Sequence, residues 1–250
     1  MTQTQATAPP DRSPWRASFP SRDGIAEAIG PLSGRNRITA DFYDGPDWLR
    51  FRPWERAFLA LQGGAARARR AILRHLPESG SGRLLEVGVG DGDNLALLGP
   101  GWEVYGVDLA RSRLEACLRR FPETAGRLAL AEGERLPFED DAFDACLCVG
   151  GFNYFGDHAL ALREMARVVR PGGTLVVADE APWLHRCGIG HLIGLPRIDA
   201  AWFRLLGLGR EFVDMVLEQD LDLPALFPES GGWRRFRIWS GLGYCMVGRS

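Results

Sequence analysis

The amino-acid sequence predicts an α/β protein built on a doubly wound, mostly parallel sheet, and three observations carry that expectation. From Gly82 onward, short apolar runs alternate with stretches of helical periodicity, the pattern of strands joined by crossover helices. A length of 250 residues with 46% hydrophobic side chains suits one core with elaborations. Charged residues make up 25% and the net charge is -2, so the composition signals neither disorder nor bulk attraction to nucleic acid or anionic membrane.

Taken in order, residues 1–20 are rich in Thr, Gln, Pro and Ser and are expected to form a disordered arm. Residues 21–80 are expected to be a helical N-terminal lid segment. Their "DFYDGPDWLRFRPWERAFLALQGG" is dense in aromatics, and "AARARRAILRHL" sets Ala68, Ala71, Ile72, His75 and Leu76 at helical spacing opposite Arg67, Arg70 and Arg74. The core then occupies 81–250. "RLLEV", "EVYGVD", "RLALAE", "DACLCVG" and "TLVVADE" read as successive strands. Between them "NLALL" opens a helix, "SRLEACLRRF" is helical, and "ALALREMARVV" is a helix stopped by "RPGG". From about 181 to 230 the alternation breaks into a bulky apolar segment with Trp183, Trp202, Phe203 and Phe212, expected to be a lid insert. "WRRFRIWS" and "YCMVG" close the chain as an antiparallel hairpin.

The chemistry concentrates in "LLEVGVGDGDNL". Gly88, Gly90 and Gly92 alternate with acids, and ligands of such sheets sit at the carboxyl ends of the strands. A dinucleotide fingerprint needs a third glycine one residue further on, and a Walker loop needs a lysine, which the chain lacks altogether. Glu86, Asp91 and Asp93 would each repel a phosphate about 4 Å away by ~1–4 kcal/mol, more than the ~0.3–1 kcal/mol a helix N-terminus offers. The turn is therefore expected to hold a cation. Asp108 ends the next strand, where an acid accepts from a ribose diol or else caps the following helix. Glu132 ends the third strand, placed either for an adenine amino group or as an exposed charge. A cationic group on a nucleoside describes S-adenosylmethionine.

On these residues, and on "VYGVDLA", "AEGERLPFEDDAFDACLCVGGFNYF", "MARVVRPGGTLVVADE" and "GYCMVGRS", the chain resembles the class I S-adenosylmethionine-dependent methyltransferases of Rossmann-like fold. The resemblance spans roughly residues 83 to 180 and the C-terminal twenty or so. It implies S-adenosylmethionine as cofactor: Glu86, Gly88, Gly90 and Asp91 at its methionine part, Asp108 at the ribose, Leu109 beside the adenine. It also implies Glu132 and Gly133 at the adenine edge and Gly150 beside the sulfonium. The motifs are most similar to those of quinone-biosynthesis and related small-molecule enzymes. Those carry Gly-Leu-Arg-Asn after the fourth strand, where this chain has Gly150-Gly151-Phe152-Asn153, so the acceptor stays open.

The implied partner is an apolar or aromatic small-molecule methyl acceptor, with the aromatic segments (Trp48 and Trp202 among them) folded over it. His158, His185 and His191 are candidate bases, and Asn153 and Tyr154 candidate orienting groups, with no catalytic residue assigned. Five scattered cysteines without a CxxC pair point to reduced thiols and no metal, and the absence of an apolar leader or span points to a cytoplasmic protein. Rival readings are a nicotinamide-dependent oxidoreductase, a non-catalytic scaffold of the same fold, and an RNA methyltransferase resting on Arg67, Arg69, Arg70, Arg74, Arg234, Arg235 and Arg237. No RNA-binding module accompanies those arginines, so nucleic acid is not the expected partner.

Overall fold

A computed structural model describes residues 13–186, 188 and 196–250. Their strands form one sheet of nine in the order β1-β2-β5-β4-β3-β6-β7-β9-β8. The strands are β1 (Ser21–Arg22), β2 (Ile25–Glu27), β3 (Ser81–Val87), β4 (Gly101–Asp108), β5 (Leu128–Leu130), β6 (Phe143–Val149), β7 (Val169–Glu180), β8 (Arg234–Ile238) and β9 (Gly243–Arg249). From β2 to β7 neighbouring strands run parallel, while β9 is antiparallel to both β7 and β8, the expected closing hairpin. The chain steps outward from β3 through β4 to β5, then crosses to the other side of β3 as β6. The switch point thus lies between β3 and β6, where a cleft opens at the strand ends.

Strand alternation gives the sheet two apolar faces. Leu85, Val87, Cys146, Cys148, Leu175 and Val177 share one cluster with Ala161, Met165 and Val168 of helix α5 (His158–Val168). Leu84, Ala145, Leu147, Val176 and Ala178 face the opposite way, against Ile72 of helix α3 (Ala65–Leu73). Helix α4 (Arg111–Arg120) adds Leu114 and Cys117 beside Leu128. Helix α5 starts where Asp157 accepts from Leu160 N at 2.9 Å, and it ends just before Val169-Arg170-Pro171.

The departures from expectation are local. Residues 21–27 are not helical: β1 and β2 form an antiparallel pair, and β2 extends the sheet by pairing with β5. Residues 1–12 of the expected arm lie outside the described residues, and within 13–20 Trp15 bridges to Phe138 and packs beside Tyr105. "NLALL" makes only a single 3₁₀ turn, Leu95–Leu97. Helix α1 (Gly34–Asp44) is followed by α2 (Pro46–Leu61), where Pro46 begins the helix and Pro53 lies inside it. In the 181–230 segment, α6 (Pro196–Leu205), α7 (Arg210–Leu217) and the short α8 (Leu223–Leu226) are described. Phe42 of α1 stacks on Phe212 of α7 with centroids 3.9 Å apart, and Trp48, Phe51, Phe203 and Leu208 join them in one cluster.

Candidate active site

The carboxyl ends of β3, β4, β6 and β7 and the aromatic cluster of α1, α2, α6 and α7 enclose a cavity of about 260 Å³. Of the nine expected cofactor residues, Glu86, Gly88, Gly90, Asp91, Asp108, Leu109, Gly133 and Gly150 line it. Glu132 does not. Its Oε1 accepts instead from Asn36 Nδ2 of α1 at 3.1 Å, so the carboxylate ties a helix to the sheet rather than facing the cavity.

The glycine turn is shaped by its own backbone. Gly88 and Gly90 have φ of +75° and +53°, and a Cβ at either would meet nothing within 4 Å. The positive angles make the turn, and the bare backbone leaves open space beside it. Asp108 holds the turn in place: its Oδ2 accepts from Gly90 N and its Oδ1 from Ala110 N, both at 2.9 Å. Asp108 does not cap α4, whose N-cap is Ala110; each of its oxygens keeps a lone pair after serving the backbone. Burial pushes its carboxyl up to about 6, against the pull of those two N–H donors.

Glu86 is almost fully buried at the end of β3. Asn94 Nδ2 donates to its Oε1 at 2.6 Å, while Oε2 is buried with no hydrogen-bond partner. Burial pushes this carboxyl up to about 8, with the Asn94 bond and Arg69 pulling down. The other two acids of the turn are already paired. Asp91 meets Arg52 at 2.8 Å and Arg113 at 3.2 Å; Asp93 meets Arg69 at 3.2 Å and Arg120 at 2.5 Å. Burial acts upward on Asp93, but its arginines outweigh it and hold the carboxyl below its ordinary value. The expectation that three acids make the turn strongly negative is therefore corrected. The unmet demand for a positive group narrows to Glu86.

The candidate orienting and basic residues separate. Tyr154 lines the cavity and its hydroxyl donates to Glu180 Oε1 at the end of β7, whereas Asn153 is fully buried and spent on the fold. Asn153 Oδ1 accepts from Tyr244 OH and Nδ2 donates to the Glu180 carbonyl, both at 2.9 Å. His158 is packed on Phe152 near the Asn153 carbonyl, away from the cavity, and burial pulls its pKa down. The side chains of His185 and His191 lie outside the described residues. Trp48 lines the cavity; Trp202 is 58% exposed and does not. Sequence reasoning missed Asn94, Arg52, Arg113, Glu55 and Glu180, all on the cavity wall. Arg69, read as part of a possible RNA-binding stripe, reaches into the turn and donates to Asn94 Oδ1 at 3.1 Å.

Among the described residues no cluster of His, Cys, Asp and Glu could hold a metal ion, and no helix is long and apolar enough to cross a membrane. Cys117, Cys146, Cys148 and Cys245 are buried free thiols, and Cys187 lies outside the described residues.

Residues 85–177 match the methyltransferase-domain family. A ubiquinone/menaquinone biosynthesis C-methyltransferase of Syntrophotalea carbinolica is 34% identical over 157 residues, 56% of this chain and 65% of that protein. A demethylmenaquinone methyltransferase of Thermus thermophilus is 40% identical over 126 residues, 48% of this chain and 57% of that protein. The chain thus spans between half and two thirds of the length of these curated relatives. In fold it is similar to an S-adenosylmethionine-dependent methyltransferase of Thermotoga maritima, described as a possible histamine N-methyltransferase, with a TM-score of 0.50 and 20% identity over 81% of this chain and 98% of that one. It is equally similar to the [4+2]-cyclase SpnF, with a TM-score of 0.51 and 18% identity over 88% and 98% of the two chains. Residues 85–177 thus match a methyltransferase domain, and over about half of its length the chain is similar in sequence to quinone-biosynthesis C-methyltransferases.

Proposed function

We propose that the protein transfers a methyl group from S-adenosylmethionine to an apolar or aromatic small molecule. The observation that carries the cofactor assignment is the buried Glu86 Oε2, without a partner, on a cavity wall shared with the open glycine turn and Asp108. A buried carboxylate oxygen left unmet is costly, and an ammonium group satisfies it with a charge-assisted bond. In this reading Glu86 and the Gly88–Gly90 backbone take the amino-acid end of the cofactor, and Asp108 accepts from the ribose hydroxyls. Leu109 and Gly133 flank the adenine, and Gly150 lies beside the sulfonium. Asp91, bound to Arg52 and Arg113, fixes the turn rather than contacting the ligand. The cofactor supplies an activated methyl on sulfur; the chain supplies binding, orientation and exclusion of water.

The acceptor class rests on the roof. Phe42, Trp48, Phe51, Phe203 and Phe212 present rings to the cavity, a surface suited to a flat apolar body. Helices α1, α2, α6 and α7 would then form the acceptor lid. A melting scan tests the cofactor reading without knowledge of the acceptor. S-adenosylmethionine or S-adenosylhomocysteine at a hundredfold excess over its dissociation constant should stabilise the protein by ~2.7 kcal/mol, and NAD should not. An unchanged midpoint with both methionine-derived ligands would refute the assignment.

A further inference from the structure

Building on that reading, we infer that Glu180 receives the proton of the methyl acceptor, which is therefore an apolar ring bearing a hydroxyl group. Glu180 closes β7 at its carboxyl end and lines the same cavity as Glu86 and Asp108. Its place is fixed from two sides. The Tyr154 hydroxyl donates to its Oε1, and the neighbouring Asp179, fully buried, anchors the backbone. Asp179 Oδ1 accepts from Glu180 N at 2.8 Å and Oδ2 from Asn153 N at 2.9 Å, and Asn153 Nδ2 donates to the Glu180 carbonyl at 2.9 Å. A carboxylate held this firmly on a cavity wall is pre-organised to accept a hydrogen bond.

Among the described residues, neither the phenols beside Glu180 nor His158 competes with its carboxylate for the acceptor proton. Burial, and next the charge of Glu180, push the phenols of Tyr154 and Tyr43 well up, so both remain neutral donors. The histidine described in this region, His158, does not line the cavity. The ligand must also meet a donor: Trp48 lines the cavity, and its indole N–H is buried without a partner. A hydroxyl can donate to Glu180 and accept from an N–H, whereas an ammonium can only donate. The aromatic roof supplies the apolar contact for the ring that carries the hydroxyl.

The acceptor O–H proton passes to the Glu180 carboxylate while the freed electron pair forms the bond to the methyl carbon. The carbon–sulfur pair stays on sulfur, which ends uncharged, and Glu180 then gives its proton to water. If the bond forms at a conjugated ring carbon, that carbon loses its proton and the oxygen regains one, so one proton leaves in net either way.

Calorimetric titration of the full chain with 2-naphthol, 2-methoxynaphthalene and 2-naphthylmethylamine, with and without S-adenosylhomocysteine, tests the inference. Wild type should prefer the naphthol to its ether by ~10-fold or more, the value of a charge-assisted hydrogen bond. Glu180→Gln should cut that preference to about fivefold or less, the worth of a typical neutral bond of ~1 kcal/mol, while S-adenosylhomocysteine binds as before. Should Glu180→Gln melt far below wild type, Glu180→Asp serves, since drawing the carboxylate back by one methylene should also erode the preference. A merely structural Glu180 would leave the hydroxyl-to-ether ratio unmoved. Equal affinities in wild type, an unchanged ratio in the variant, no binding of the naphthol, or tighter binding of the amine would each overturn the inference. Failure of S-adenosylhomocysteine to bind wild type would instead overturn the cofactor reading.

Discussion

Glu86 couples the site to pH. Its ordinary value of 4.5 is raised to about 8 in the folded chain, so the fold favours the protonated acid. Stability from this group is full below about 4.5 and is lost progressively as pH rises to about 8. Glu86→Gln keeps an oxygen for Asn94 and never ionises. The variant should therefore melt close to wild type near pH 5 and well above it near pH 9, by an amount of order ~1 kcal/mol or more. Melting scans across that range check it; parallel curves would mean that Glu86 ionises normally. The same group predicts proton release, because pairing with a cationic ligand favours its carboxylate. S-adenosylhomocysteine should thus bind more tightly as pH rises from 6 to 8, with about one proton released per ligand at neutral pH. Calorimetry in buffers of differing ionisation enthalpy measures that count, and a count near zero would contradict it. Glu86 and Asp108 were legible in the sequence because each ends an apolar strand, and the sheet alone brings their ends together. Asn94, Arg52 and Glu180 were not, since each acquires its role from a partner 8, 39 or 26 residues away whose approach depends on the fold.

At the scale of elements, the helices over the site are fastened to the core by side chains at their ends. Helix α4 has Ala110 at its N-cap and no cap of its own. Asp44, the last residue of α1, supplies one from outside: its oxygens accept from Ser112 N at 2.8 Å and Arg111 N at 3.3 Å. Asp44→Ala should cost ~1 kcal/mol of stability, as loss of a capping side chain does. It should also raise hydrogen exchange across α1 and α2, because the bond joins them to the core. Exchange that rises in α4 alone would show that the lid does not depend on this tie. Strands β3, β4, β6 and β7 were readable as apolar runs between turn signals. Strands β1 and β2 were not, being two and three residues long and lacking an apolar run of their own. Their placement comes from pairing with β5, a tertiary contact. The 3₁₀ turn at Leu95–Leu97 likewise stands where a helical pattern stops after one turn.

Over the whole molecule, 30 basic residues, all arginine, are balanced by 32 acids, and several arginines near the site are bound to carboxylates. Arg69, one of the stripe that could have suggested RNA, faces the glycine turn. Affinity for an RNA oligomer should accordingly be weak at 50 mM salt. A tight complex that loses ~10³-fold or more by 200 mM salt would instead indicate six or more phosphate contacts. The doubly wound order was legible from the alternation of runs, and the charge balance of the turn was not. Counting acids along the chain gave a negative turn, whereas α2, α3 and α4 bring Arg52, Arg69, Arg113 and Arg120 onto it.

The fold is shared with a [4+2]-cyclase as well as with methyltransferases, so function rests on the site, and in the proposed reading on Asp108 as acceptor from the ribose of S-adenosylmethionine. Titration calorimetry of S-adenosylhomocysteine into wild type and Asp108→Asn tests it most directly. Two charge-assisted bonds at ~1.5–3 kcal/mol each predict a loss of at least ~10-fold in the variant, with the variant's melting midpoint showing that it remains folded. Equal affinity in the two folded proteins would contradict the account.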